Sequence, residues 1–401
     1  MRIALFANRG ARGQFAPFAD ALRRLGHEPS VVSLDGGPDS PRGQYDYRDI
    51  CRYSHWREPG YESVHRQRAQ GIAAHVEEHL TRESTDVAVV WGHATCEQRA
   101  AAAACRGLGV PVAFGELGWF RRPPGGCPGH PHSERTLLLD CVGLNEGRTE
   151  LSLEWWDKRL TAEQEARLSE YVDWWKYTKS SKHVQHGEPL PPRLAQCRRR
   201  GLPVLLVLLQ ADWDAAAFYA EAGLTGQADV MSLVRGAIGD DWQVVVKEHP
   251  AAMRAAQPAD RELWVRDVNV HDCFAAADCV VTANSNCGLE ALLYEKPVIC
   301  LADAPYGRLG FTFDVRDAGA LRRMLARTRW LQAPHLGNRF LRAFLYYVIF
   351  EYCFAPSEVG RLADKLWHRL VAGEGCQRRA RRVVTASAAR NAESMDVAPE
   401  A

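Results

Sequence analysis

Val204–Leu209 (VLLVLL) is an unbroken apolar run, with Pro203 before it and the polar pair Gln210 and Asp212 just after it. It is too short to span a bilayer and has no polar face to turn to water. Such a run is a strand buried on both faces, and such strands belong to parallel sheets covered by helices on either side.

The same rhythm of strand, helix and strand recurs along the chain. Arg2–Ala7 reads as a strand, a Gly10/Gly13 loop follows, and an amphipathic helix runs through Phe15, Phe18, Ala19, Leu22 and Leu25. Val31–Leu34, Asp86–Trp91 and Val110–Phe114 read as further strands, with an Ala-rich helix over Cys96–Arg106. Leu151–Lys182 reads as helical, with Thr161 and Gln164 as a capping box and Trp174 and Trp175 as packing residues. After a Pro-rich hinge at His183–Arg193 the pattern restarts: strands at Val204–Leu209, Trp242–Val246, Cys279–Thr282 and Val298–Leu301, helices at Asp229–Ile238 and Gly288–Tyr294. Ala320–Leu331 and Asn338–Val371 read as C-terminal helices.

The expected fold is therefore α/β: two Rossmann-like parallel α/β domains facing each other across a cleft. Residues 1–190 make the N-terminal domain, 191–318 the C-terminal α/β domain, and 319–372 helices packing across both. The polar, Arg-containing stretch 373–401 reads as a disordered tail.

Composition narrows the function classes. The 401 residues hold 50 Lys and Arg against 49 Asp and Glu, a net charge of +1, which argues against nucleic acid as a partner. No apolar stretch approaches the roughly 18 residues of a membrane span, and MRIALFANRG does not read as a secretory signal. The 12 cysteines are scattered without a CxxC pair and read as reduced thiols of a cytoplasmic protein.

Four constellations fall at strand ends. Lys247-Glu248-His249-Pro250 offers two hydrogen-bond donors suited to a phosphate. Asn284-Ser285-Asn286 with Gly288 opens a helix whose N-terminus attracts anions, and Glu290 could accept from ribose hydroxyls. The alternative for Ser285 is a simple helix cap. Gln210 and Asp214 follow a buried strand, with Asp214 alternatively a cap. Glu116, followed by Gly118, Trp119 and Arg121, suits a general base or nucleophile, or alternatively a structural ion pair with Arg121. Cys127, His130 and His132 lack a fourth ligand at zinc spacing, so no metal is expected. GxGxxG, GxxxxGK[ST] and GxSxG are all missing, which disfavours dehydrogenases, P-loop enzymes and serine hydrolases.

Taken in order, these motifs resemble the capsule polysaccharide biosynthesis family, which includes β-Kdo transferases with a GT-B-like fold. The resemblance rests on Gly13–Glu28 (GxFxxFAxxLRxxGHE), Gly36–Asp39, Gly92–Arg122, the LLLDCVGLNEG stretch with Asn145, Gln210 with Asp214, Lys247-x-His249-Pro250, and Asn284–Leu292. The chain departs from the family pattern at Leu117, where a second acidic residue is common, and at Glu248 and Asn286.

The resemblance implies a glycosyltransferase that moves a CMP-activated nonulosonic sugar, CMP-Kdo or a relative, onto a glycolipid or polysaccharide acceptor without a cofactor or metal. By that resemblance Glu116 is the catalytic carboxylate across the cleft, a nucleophile if configuration is retained. His249 and Lys247 stabilise the leaving phosphate, Ser285, Asn286 and Gly288 hold it at the helix N-terminus, and Glu290 takes the ribose. Gln210 and Asp214 line the donor pocket, and Arg121 and Asn145 belong to the substrate site. The implied setting is the cytoplasm, with peripheral attachment at the inner membrane in a capsule biosynthesis and export complex. The competing readings are a UDP-sugar transferase or epimerase of the same fold, and a catalytically degenerate capsule-assembly binding protein.

Overall fold

A computed structural model describes residues 1–34, 61–92, 96–124, 133–144, 149–152, 159–183, 187–211, 223–224, 226–249, 252, 256–328 and 337–371. Among them lie two six-stranded sheets.

The first sheet contains β1 (Arg2–Ala7), β2 (Glu28–Ser33), β3 (Val87–Trp91), β4 (Val112–Leu117), β5 (Leu137–Asp140) and β12 (Cys353–Phe354), in the order β12-β5-β4-β3-β1-β2. Its helices are α1 (Arg9–Arg24), α2 (Tyr61–Glu83) and α3 (Cys96–Gly107). β1 shows why the sheet is covered on both sides. Ile3, Leu5 and Ala7 enter one apolar cluster with α1, while Ala4 and Phe6 enter another with residues of α2 and α3.

The second sheet contains β6 (Val204–Leu208), β7 (Gln243–Lys247), β8 (Glu262–Val265), β9 (Cys279–Thr282), β10 (Val298–Cys300) and β11 (Phe313–Asp314), all parallel, in the order β11-β10-β9-β6-β7-β8. Renumbered from its own first strand this is 3-2-1-4-5-6, the order of the dinucleotide-binding fold. The apolar run that opened the sequence reading becomes β6, with Val204, Leu206 and Leu208 in one core and Leu205 and Val207 in the other.

The expectation of two parallel domains needs one correction. β5 runs antiparallel to β4, and β12 antiparallel to β5. β12 comes from the C-terminal segment, which the sequence reading made wholly helical. That segment is instead α10 (Arg339–Tyr347), a π-helical turn (Val348–Tyr352), β12, a short 3-10 turn (Pro356–Glu358) and α11 (Val359–Leu366). Pro356 cannot donate an amide to a preceding turn, so the helix cannot run through it. Buried Arg122 holds this return in place by donating to the carbonyls of Ile349 and Cys353, the latter at 3.0 Å.

The helix expected from Leu151 is shorter. α4 (Ala162–Thr178) begins at the capping box of Thr161 and Gln164 and stops at Lys179, which adopts a left-handed conformation with φ 49°. That stop turns Ser180–His183 out of the helix. Trp175, fully buried, packs at this end against Phe120 of the first domain and His271 and Tyr294 of the second, so one apolar core runs through both.

Candidate active site

Open parallel sheets bind ligands at the carboxyl ends of their strands, where neighbouring strands lead to opposite faces. In the second sheet this point lies between β6 and β9, and Gln210 and Asn284 stand there. The Gln210 side-chain oxygen accepts from the Asn284 amide at 3.1 Å, and its carbonyl accepts from Gln227 at 2.7 Å. Gln210 therefore shapes the loop that enters α8 (Asn286–Leu293).

Ser285 caps α8, its hydroxyl accepting from the Cys287 amide at 3.2 Å, which is the simpler of the two readings its position allowed. Asn286 is the first residue of the helix and is partly exposed. Gly288 answers to a different neighbour from the one expected. A β-carbon there would lie 2.2 Å from the Tyr306 hydroxyl, so the glycine admits Tyr306, which donates to the Ser285 carbonyl.

β7 delivers Lys247 and His249. The Lys247 ammonium is buried and donates to the carbonyls of Arg266 at 2.6 Å and Glu248 at 3.0 Å, so two of its three protons are held by backbone and not aimed at a phosphate. Burial lowers its pKa, and Cys273 and Cys287 are among the groups acting on it, which puts it next to the start of α8. Half-buried His249 is pushed down to about 4 by burial and then by the charges of Lys247 and Lys182.

Lys182 links this wall to the first domain. Its ammonium donates to Glu116, at the end of β4, at 2.7 Å. One residue on, the His183 ring meets the His249 ring edge to face, with centroids 5.7 Å apart. His183 keeps an open face to solvent, yet burial of its ring and the surrounding charges of Lys182, His249, Arg121 and Arg135 lower it to about 4. Glu116 from the first sheet thus contacts Lys182, and His249 from the second contacts the adjacent His183.

Three further side chains hold that segment, Ser180–His183. Ser181 donates to both oxygens of Glu290, at 2.9 and 3.0 Å, and the Lys182 amide also donates to Glu290. The Ser180 carbonyl faces His271 Nε2 at 3.0 Å. Arg121 donates to the Lys182 carbonyl at 3.4 Å and to the Ser133 hydroxyl at 3.3 Å. Two expectations change here. Glu290 is fully buried and faces the protein's own segment, where a ribose was expected, and burial raises it to about 8. Glu116 pairs with Lys182 and not with Arg121.

Asn145, Asp214 and Pro250 lie outside the described residues, as do Cys127, His130, His132 and the 373–401 tail. Among the described residues no three His, Cys, Asp or Glu side chains are grouped to hold a metal ion, and no helix is long and apolar enough to cross a membrane. Ser181, Lys182 and His183 escaped the sequence reading, which ended a helix at Lys182 and began a hinge at His183. The run of polar residues directly before a Pro-rich stretch was the available signal. A cavity of about 310 Å³ starts one residue beyond Glu116, between Leu117, Trp91, Gln14 and Arg135. The larger cavity, about 510 Å³, opens between Arg159, Tyr346 and Arg369 and includes none of these residues.

Two facing α/β sheets with polar strand ends turned onto one interdomain segment make a GT-B-like architecture. The fold is shared with Thermosulfurimonas dismutans KpsC, beta Kdo 2,4 transferase, with a TM-score of 0.56 at 15% identity over 92% of this chain and 98% of that one. The beta Kdo 2,7 transferase of the same organism's KpsC aligns at a TM-score of 0.47 and 14% identity over 91% of this chain and 99% of that one. Residues 202–354 match the family model described as capsule polysaccharide biosynthesis protein, which bears out the family resemblance over the second sheet and the return to the first. Protein FixF of Sinorhizobium fredii is 35% identical over 111 residues, 26% of this chain and 27% of that protein. The match spans about a quarter of that relative's length.

Proposed function

We propose that the chain is a glycosyltransferase that moves a CMP-activated nonulosonic sugar, Kdo or a relative, onto a glycolipid or polysaccharide acceptor of capsule synthesis. The observation that carries this reading is that Glu116 from one sheet and His249 from the other contact adjacent residues of one segment, Lys182 and His183. Breaking the bond between the anomeric carbon and the phosphate oxygen leaves negative charge on the phosphate and positive character on the sugar. A carboxylate on one wall and hydrogen-bond donors with a helix N-terminus on the other meet those two demands. The fold shared with a β-Kdo 2,4 transferase and the family match over 202–354 support the same reading.

His249, lowered to about 4, is neutral at pH 7 and donates to the departing phosphate as an imidazole N–H. Ser285 and Asn286 at the start of α8 hold the phosphate, and Gln210 lies beside them at the switch point. Lys247 adds positive charge at short range without direct donation. The cationic groups around His183, namely Lys182, Arg121 and Arg135, supply on this reading what a divalent cation supplies elsewhere, so transfer proceeds without metal. Lys- and Arg-rich surfaces would serve attachment to an anionic membrane carrying the acceptor.

Calorimetric titration with CMP and with UDP, followed by incubation with CMP-Kdo and short glycolipid acceptors read by mass spectrometry, tests the proposal. CMP binding and a mass gain of one Kdo are expected. Tight UDP binding without CMP binding would instead favour a UDP-sugar enzyme, and binding of acceptor with no transfer a degenerate assembly protein.

A further inference from the structure

We infer that Lys182 is the positioning residue that delivers Glu116 to the reacting carbon and ties its placement to the donor-holding helix. The inference rests on the transferase reading above and adds a residue that neither the motifs nor the family match, which starts at 202, contains.

The argument is one of connectivity. Lys182 is gripped at three points, each by a different group. Its ammonium holds Glu116 at 2.7 Å, its amide donates to Glu290, and its carbonyl accepts from Arg121 at 3.4 Å. Glu116 and Arg121 belong to the first domain, at and just beyond the end of β4. Glu290 belongs to the second and sits on α8, the helix whose first residues face the donor side. A backbone held from both sides gives its side chain little freedom, and the Lys182 side chain is 12% exposed against 27% for Glu116. The carboxylate end of the pair is therefore the more open one.

A movement of α8 on donor binding would pass through Glu290 to the Lys182 backbone, and from the ammonium to Glu116. The neighbouring His183 ring carries the same segment to His249 at 5.7 Å. Lys182 itself touches no reacting atom in this scheme. Its place is to hold the carboxylate in register with the helix that holds the phosphate, and a displacement of about 1 Å in such a group costs about 10²-fold in rate.

The test compares wild type, Lys182→Met, Lys182→Gln and Lys182→Arg in CMP-Kdo turnover, with melting temperature recorded for each. Lys182→Met should lower kcat by about 10²-fold while donor KM changes by less than about threefold, and Lys182→Arg should recover at least about tenfold of the loss. Adding Glu116→Gln to Lys182→Met should cost little more than Glu116→Gln alone, because both act on the same group. If Lys182→Met fails to fold, Lys182→Gln carries the comparison. A wild type that transfers sugar while the Lys182 variants keep full kcat overturns the inference and leaves the transferase reading standing. Equal loss in Lys182→Arg and Lys182→Met, tracking a lowered melting temperature, also overturns it in favour of a purely structural pair. A wild type inactive with every activated sugar defeats the transferase reading, and the inference with it.

Discussion

Ser181 and Glu290 stand 109 residues apart in the chain and meet at 2.9 Å inside the protein, where the serine hydroxyl donates to a carboxyl group with no access to water. The contact fastens the segment leaving α4 to the helix that opens the second domain's candidate donor site.

Truncating that carboxyl should be costly. Glu290→Ala leaves the Ser181 hydroxyl and the Lys182 amide buried without their acceptor, at about 2–4 kcal/mol of stability in urea unfolding. Glu290→Gln keeps an acceptor and should lose less. The carboxyl, raised to about 8, stays protonated in the folded chain where the unfolded chain has released its proton. Its contribution is complete below about 4.5 and is lost as pH rises through 8. The glutamine variant should lack that alkaline loss. An unchanged slope between pH 5 and 9 in Glu290→Gln would contradict this assignment.

Acid should destabilise the protein through His271. The ring is buried between the Tyr294 hydroxyl and the Ser180 carbonyl, both at 3.0 Å, and burial pushes it down to about 4. Its folded value lies below the ordinary 6.5, so the unfolded state takes up the proton first. Stability from this group is intact above pH 6.5 and falls as pH drops toward 4. Urea unfolding at pH 7 and pH 5 should differ by about 2 kcal/mol from His271, with His249 adding in the same direction. His271→Gln should shrink the difference.

Gly288→Ala tests the packing role of that glycine. The added methyl would meet the Tyr306 hydroxyl, and overpacking of this kind costs about 1–3 kcal/mol. Tyr306→Phe removes the clashing oxygen and should restore part of the loss in the double variant. A site kept open for a ligand predicts no such rescue; binding of CMP, measured alongside, would fall in Gly288→Ala while stability stayed level.

His249→Ala separates chemistry from folding. Half-buried and at a strand end, the ring should be removable at a cost of a few degrees in melting temperature. Transfer from CMP-Kdo should fall by about 10²-fold or more. Full turnover in this variant would remove His249 from the phosphate.

The chain's own pattern was enough for the architecture. Continuous apolar runs such as Val204–Leu208 and Cys279–Thr282, each followed by polar residues, can be satisfied only in doubly covered parallel strands, and strand ends in such sheets point toward the ligand crevice. The strand-end placement of Glu116, Gln210, His249 and Ser285 was legible for that reason, because each lies within three residues of the end of such a run. Local pattern could not show β5 and β12. LLLD and CF are short apolar pieces: CF takes its strand state from pairing with LLLD more than two hundred residues away, and LLLD from pairing also with β4.

Partners are likewise a tertiary matter. Sequence placed Glu116, Lys182 and Glu290 just after a strand, at a helix end and in a helix. Only the approach of the two sheets made Lys182 the ligand of Glu116, turned Glu290 inward to Ser181, and occupied Lys247 with backbone carbonyls. Side-chain type and strand position are local properties written in periodicity, whereas which charge meets which across a cleft depends on how two separately formed cores dock, and no spacing along the chain carries that distance.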